Sequence, residues 1–191
     1  MRVYIVRHGQ SVANVAGFRN GQGDVPLTEK GREEALEIRP KLSGVSFDRI
    51  YSSDLIRAID TCIIALPESD PIQIKELREI DVGSLMGKTN EECMNLFGPE
   101  YSLNSADYNF VPYGGENLDM VFDRVSHFMH LLESLPEDLN IAIFAHFGSI
   151  LSILRYVLGC KLDRKRIFIG NSSVIEVEFR NGLWKLMRLG G

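Results

Sequence analysis

Five side chains of this 191-residue chain are of the types that phosphoryl chemistry needs: His8 and His146, Arg7 and Arg57, and Glu79. His8 sits in Tyr4-Ile5-Val6-Arg7-His8-Gly9-Gln10-Ser11, where a short apolar run leads into an arginine, a histidine and a glycine. His146 follows a second apolar run, Ile143-Phe144-Ala145, while Arg57 and Glu79 lie in Ser52-Ser53-Asp54-Leu55-Ile56-Arg57-Ala58 and Leu77-Arg78-Glu79. A neutral imidazole can accept a phosphoryl group, and guanidinium forks can hold its oxygens two at a time. A partly desolvated carboxyl group can protonate the departing alcohol. A lone histidine at a strand end is more often structural. Two of them, one flanked by arginine and one followed by a helix start, point to function. Arg57 in isolation reads equally well as a surface arginine paired with Asp54 or Asp60.

The elements that must position these groups follow from hydrophobic pattern. Val3 to Val6 and Ile141 to Ala145 are apolar without alternation, as expected of strands buried on both faces of a parallel sheet. Ser11 to Gly23 is rich in glycine and asparagine and reads as a loop or short helix over the first strand end. Thr28 is an N-cap candidate for a helix reaching to about Leu42. Asp48 to Tyr51 reads as a strand and Asp54 to Leu66 as a helix stopped by Pro67. Arg57 in its first turn reaches back over the sheet edge, and the same helix start offers N–H groups to an anion.

Ile72 to Ile74 is a short strand leading to Glu79, and Thr89 to Phe97 a short helix. The stripe Leu118, Val121, Phe122, Val125, Met129 and Leu132 marks a long helix from about Glu116 to Leu135, and Ser149 to Leu158 a further one. Ile175, Val177 and Phe179 alternate with Glu176 and Glu178 before Asn181-Gly182 turns into Leu183 to Leu189, a C-terminal β-hairpin. Strands alternating with helices imply a three-layer α/β/α architecture with a mostly parallel central sheet, in one domain spanning residues 1–191.

Composition narrows the partners. A net charge of −5 argues against nucleic acid while leaving room for a buried positive pocket and a small anionic substrate. Cys62, Cys93 and Cys160 are widely spaced, as free thiols of a cytoplasmic protein would be. The apolar stretch Ile141 to Cys160 carries His146, Ser149, Ser152 and Arg155, so it reads as strand plus core helix and no membrane partner is expected. A homodimer stays open as the oligomeric alternative to a monomer.

Set in order, these segments resemble the histidine phosphatase superfamily, the phosphoglycerate mutase-like family. The matching segments are Val6-Arg7-His8-Gly9-Gln10-Ser11, Gln22-Gly23-Asp24-Val25-Pro26-Leu27-Thr28-Glu29-Lys30-Gly31 and Tyr51-Ser52-Ser53-Asp54-Leu55-Ile56-Arg57-Ala58. Leu77-Arg78-Glu79, Tyr113-Gly114-Gly115-Glu116-Asn117 and Ala145-His146 complete the set. The resemblance implies a phosphoglycerate mutase-like fold, with His8 as the nucleophile that becomes phosphohistidine. It places Arg7, Arg57 and His146 around the phosphate and makes Glu79 the proton donor. Asn14 and the loop Asn20, Gly21, Gln22 would contact substrate. No metal or other cofactor is called for.

Two positions depart from the family pattern. Met86 stands where an acidic residue is common, and Phe147 where a small one is; both would line the pocket mouth. The modest segment between Glu79 and Tyr113, and a chain end just after the last strand, favour the phosphatase branch. The expected activity is hydrolysis of a small phosphorylated metabolite, with phosphoglycerate mutase as the alternative and a non-catalytic phosphate-binding protein behind both.

Other signals are weaker. Gly83-Ser84-Leu85-Met86-Gly87-Lys88-Thr89 has three residues between its glycines where a P-loop needs four. His127 faces away from the apolar stripe, and Lys161, Arg164, Lys165 and Arg166 read as a solvated basic loop.

Overall fold

The computed structural model describes residues 1–190. Six strands form one sheet: β1 (Arg2–Arg7), β2 (Arg49–Ser52), β3 (Ile72–Gln73), β4 (Asn140–Ala145), β5 (Val174–Arg180) and β6 (Leu183–Leu189), in the order β3-β2-β4-β1-β5-β6. The first four in that order run parallel, and β5 and β6 are antiparallel additions. The mostly parallel sheet expected from the sequence is therefore present.

Register explains why chemistry gathers at one end. Arg7 pairs with Ala145 and Ser52 with Phe144, so β1, β4 and β2 finish side by side. The residues that follow them, His8, His146 and Ser53, are neighbours at the carboxyl edge of the sheet, where α/β proteins bind ligands.

Seven helices accompany the sheet: α1 (Val12–Ala16), α2 (Glu29–Leu36), α3 (Ile38–Leu42), α4 (Ile56–Ala65), α5 (Asn90–Ala106), α6 (Leu118–Glu133) and α7 (Phe147–Leu158). Val3, Ile5, Ile141 and Ile143 pack on one face with Val125, Met129 and Ile150 of α6 and α7. Tyr4, Val6, Ala142 and Phe144 pack on the other with Ile38, Leu42 and Cys62 of α3 and α4. Because both faces are covered, the central strands carry apolar residues at successive positions, and alternation is absent.

Two helices differ from expectation. The helix expected from Thr28 to Leu42 is broken at Glu37. Pro40 lacks an N–H, and its ring crowds the carbonyl of Leu36 four residues earlier, so the chain restarts as α3. The short helix ending at Phe97 instead continues to Ala106 past a kink at Gly98, whose φ is 64°. Pro99 suits the first turn of the second half, which buries Tyr101. Asn181 and Gly182 both take positive φ, as the tight β5–β6 turn requires.

Candidate active site

Above the carboxyl edge lies a pocket of about 330 Å³, walled by Arg7, His8, Arg57 and Glu79. Asn14, Asn20, Gly21 and Phe147 also face it. His146 lies behind this wall, its ring centroid 5.0 Å from that of His8. Gln22 is off the wall; its Oε1 accepts from Arg78 Nη1. Met86 is exposed and also off the wall.

His8 is only 4% exposed, and its Nδ1 lies 2.7 Å from the carbonyl oxygen of Gly9. A carbonyl only accepts, so Nδ1 carries the proton in that contact and Nε2 keeps its lone pair. Burial holds the imidazole well below its usual pKa, and the charges of Arg57 and then Arg7 push the same way. The backbone around it is pinned: its N–H donates to Ala145 O, and its carbonyl accepts from Asn171 Nδ2. A Cβ on Gly9 would lie 2.3 Å from Gly31 O, so the chain crossing over α2 needs glycine at that point.

Arg57 is 3% exposed, and its guanidinium reaches back over the sheet edge to donate to Gly23 O at 2.7 Å and Gly21 O at 2.8 Å. The surface-pair alternatives are excluded by geometry. Asp54 is held by Arg78 at 2.7 Å, and Asp60 lies near Arg32. The start of α4 is not open to an anion as expected, because Asp24 Oδ1 accepts from Ile56 N–H there. Arg7 donates from Nη1 to Ile169 O, while its buried Nε has no partner among the described residues. Both ring nitrogens of His146 are likewise unpartnered at 0% exposure. Burial first, then Arg57, His8 and Arg7, lowers the His146 pKa well below its usual value. Unsatisfied buried polar atoms beside an open pocket are costly unless a ligand satisfies them.

Glu79 is held from both sides. Its Oε1 accepts from the backbone N–H of Ile80 at 2.8 Å and of Gly148 at 2.9 Å, the latter in the first turn of α7. Behind it, the Arg124 guanidinium donates to the carbonyls of Glu76, Arg78 and Glu79 and forms a two-pronged pair with Glu116. Glu116 Oε2 in turn accepts from Asp81 N–H. Arg124 and Glu116 thus clamp the segment that presents the carboxylate.

Sequence reading missed Arg124, although its signal was present. Arg124 sits three residues after Val121 and four before Phe128, on the buried stripe of α6, where a charge must have partners. Arg19, Tyr108, Phe110 and Phe168 on the pocket wall were missed too, because they come from loops with no pattern tying them to the strand ends. Asn14 and Asn20 face the pocket, but both are engaged locally. Asn14 Oδ1 accepts from Ser11 N–H and Oγ, and Asn20 Nδ2 donates to Gly23 O.

Residues 3–190 match the profile of the histidine phosphatase superfamily, branch 1. The chain belongs to that superfamily. An adenosylcobalamin/alpha-ribazole phosphatase of Escherichia coli (strain K12) is 31% identical to this superfamily member over 162 residues, which is 83% of this chain and 80% of the relative. A 2,3-bisphosphoglycerate-dependent phosphoglycerate mutase of Rhizobium etli is 34% identical over 159 residues, 78% of this chain and 76% of the relative. The crystal structure of the alpha-ribazole phosphatase from Shigella flexneri superposes with a TM-score of 0.91 at 26% identity, covering 100% of this chain and 96% of the other. The phosphoglycerate mutase-like fold and the phosphatase assignment made from the sequence both stand with these likenesses. Among the described residues no helix is long and apolar enough to cross a membrane.

Proposed function

We propose that this histidine phosphatase hydrolyses a small phosphomonoester through a phosphohistidine on His8. The observation that supports it most is an unsatisfied set at the pocket wall and just behind it: the free Nε2 lone pair of His8 and Arg7 Nε, with both His146 nitrogens behind them lacking partners. A phosphoryl group at that point would receive the lone pair on phosphorus and place its oxygens on Arg7, Arg57 and His146. Preorganised donors stabilise the charge on those oxygens without reorganising during the reaction.

As the P–O bond breaks, the electron pair leaves with the alcohol oxygen, and Glu79 supplies the proton. Glu79, now a carboxylate, takes a proton from water. The water oxygen displaces Nε2 from phosphorus, releasing phosphate and restoring the starting imidazole. Splitting hydrolysis into two displacements lowers each barrier. Asn14, Asn20, Gly21 and Phe147 are the wall residues placed to meet the rest of the substrate, whereas Gln22 is turned to Arg78 and off the wall. The guanidinium groups meet the charge requirement, so neither a metal nor another cofactor is required. Free thiols at Cys62, Cys93 and Cys160 fit a reducing cytoplasm. The net negative charge suits a small-molecule partner better than nucleic acid.

His8→Ala should abolish both turnover and acid-labile labelling by substrate; substantial residual hydrolysis would remove the nucleophile assignment. A mutase reading uses the same centre and is kept in view by the name of the Rhizobium relative. Product analysis separates the two, since hydrolysis releases inorganic phosphate and mutation returns the phosphoryl group to an organic acceptor.

A further inference from the structure

Three guanidinium groups stand on the pocket wall, Arg7, Arg19 and Arg57, against one carboxylate, Glu79. In the reaction described above, Arg7 and Arg57 match a phosphoryl group of charge about −1.5 to −2. Glu79 is neutral while it holds the proton it donates. Arg19 is then the one wall cation left without a counter-charge. It comes from the loop after α1, and no Asp or Glu lies within ion-pair distance of it among the described residues.

Arg19 is fixed as firmly as the two arginines below it. Its Nε donates to Tyr101 Oη at 2.9 Å, and its Nη2 donates to Asn90 Oδ1 at 2.8 Å and Ser105 Oγ at 2.5 Å. All three acceptors are neutral. The guanidinium lies 5.8 Å from the ring centroids of both Tyr101 and Phe110. Its backbone is tied on both sides, the N–H to Lys88 O and the carbonyl to Gly87 N–H. Only Nη1 has no hydrogen bond to another described residue. A half-buried cation held by uncharged groups, with one N–H₂ free on the wall of an anion pocket, is arranged to meet a second negative group.

We propose that Arg19 is a specificity-determining residue that receives a second anionic group, a carboxylate or a phosphate, carried by the alcohol part of the substrate. This rests on the phosphatase reading above and narrows it to phosphomonoesters with two separated negative charges. Tyr108 and Phe110 complete that part of the wall. The second anion would enter beside the one wall guanidinium that has no counter-charge.

Three substrates with the same primary-alkyl attachment test this: propyl phosphate, the phosphate ester of 3-hydroxypropionate, and propane-1,3-diol bisphosphate. A charge-assisted hydrogen bond of ordinary strength predicts that the wild type prefers one or both anionic esters over propyl phosphate by roughly 10- to 100-fold in kcat/KM, mainly through KM. In Arg19→Gln that ratio should collapse toward unity, and Arg19→Lys should restore part of it. A preference for the carboxylate ester alone, for the bisphosphate alone, or for both says which anion the subsite takes, and each supports the assignment. Turnover of propyl phosphate with no preference in the wild type overturns the Arg19 subsite alone. So does a preference that survives in Arg19→Gln. Failure to hydrolyse any of the three overturns the phosphatase reading and the subsite with it. Because the readout is a ratio within each variant, loss of the Tyr101, Asn90 and Ser105 tether cannot imitate the result by lowering both rates together.

Discussion

Gly148→Ala isolates the part played by Glu79 without deleting its carboxylate. A Cβ on residue 148 would lie 2.3 Å from Glu79 Oε1, whereas its next nearest neighbours are at 3.6 and 3.7 Å. The methyl group therefore meets one obstacle, the end of a flexible side chain, which must retreat by about 1 Å to reach ordinary van der Waals separation. The move weakens or breaks the hydrogen bond from Gly148 N–H. Folding should be almost unaffected, because alanine is about 1 kcal/mol better than glycine inside a helix and offsets much of the lost contact.

Catalysis should suffer selectively in that variant. A displacement of this size in a reacting group costs on the order of 100-fold. Alkyl phosphates, whose alkoxide needs the proton, should lose about 100-fold in kcat, and aryl phosphates such as p-nitrophenyl phosphate less than about 10-fold. Steady-state kinetics on a matched alkyl and aryl pair, with a thermal melt beside them, reads this out. Equal losses on both esters, or an unchanged alkyl rate with the melt intact, would refute Glu79 as the proton donor placed by Gly148.

Arg124→Met should show the same alkyl-selective loss, smaller in size, because it releases the Glu76, Arg78 and Glu79 carbonyls while leaving the carboxylate itself in place. A fall in stability of about 3–5 kcal/mol is also expected, since Glu116 is left without its partner. Urea unfolding at several pH values should show stability falling as pH drops below about 6.5, by up to about 1.4 kcal/mol per pH unit for each of His8 and His146. The sign follows from the lowered pKa of both buried imidazoles. The unfolded chain binds protons that the folded one refuses, so their contribution is complete above the unfolded value and is lost in the window beneath it. A flat profile between pH 6.5 and about 5 would contradict this. Orthovanadate or phosphate should raise the melting temperature through the unpartnered nitrogens of Arg7 and His146, by an amount equivalent to about 2.7 kcal/mol at 100 times Kd. Arg57→Gln should blunt that rise, whereas a chelator should leave turnover unchanged.

The meeting of His8 and His146 at one sheet edge was legible because its signals are local. Two apolar runs ending in histidine mark adjacent parallel strands, and the register of β1 with β4 turns that sequence feature into a 5.0 Å ring contact. Arg57 was legible in direction as well, since a side chain in a first helical turn leans toward the strand it follows. The Ser11–Gly23 loop could be placed over the site, but the division of labour within it could not. Asn20 faces the pocket while Gln22 turns to Arg78, a choice made by tertiary hydrogen bonds. The break at Glu37 was written in Pro40 yet masked by the apolar spacing on either side. The second half of α5 was hidden by Gly98-Pro99, which reads as a stop and acts as a kink because Tyr101 has a core to enter.

Every proposed step depends on the lone pair of His8 Nε2 taking up phosphorus. Rapid acid-free quenching of the enzyme with ³²P-labelled substrate, followed by tryptic digestion, tests it most directly. Cleavage after Arg7 and Arg19 isolates His8 as the one histidine of its peptide. Alkali-stable, acid-labile label should appear on that peptide, forming and decaying at rates compatible with turnover. Label on any other peptide, or acid-stable label on Ser11 within the same one, would contradict it.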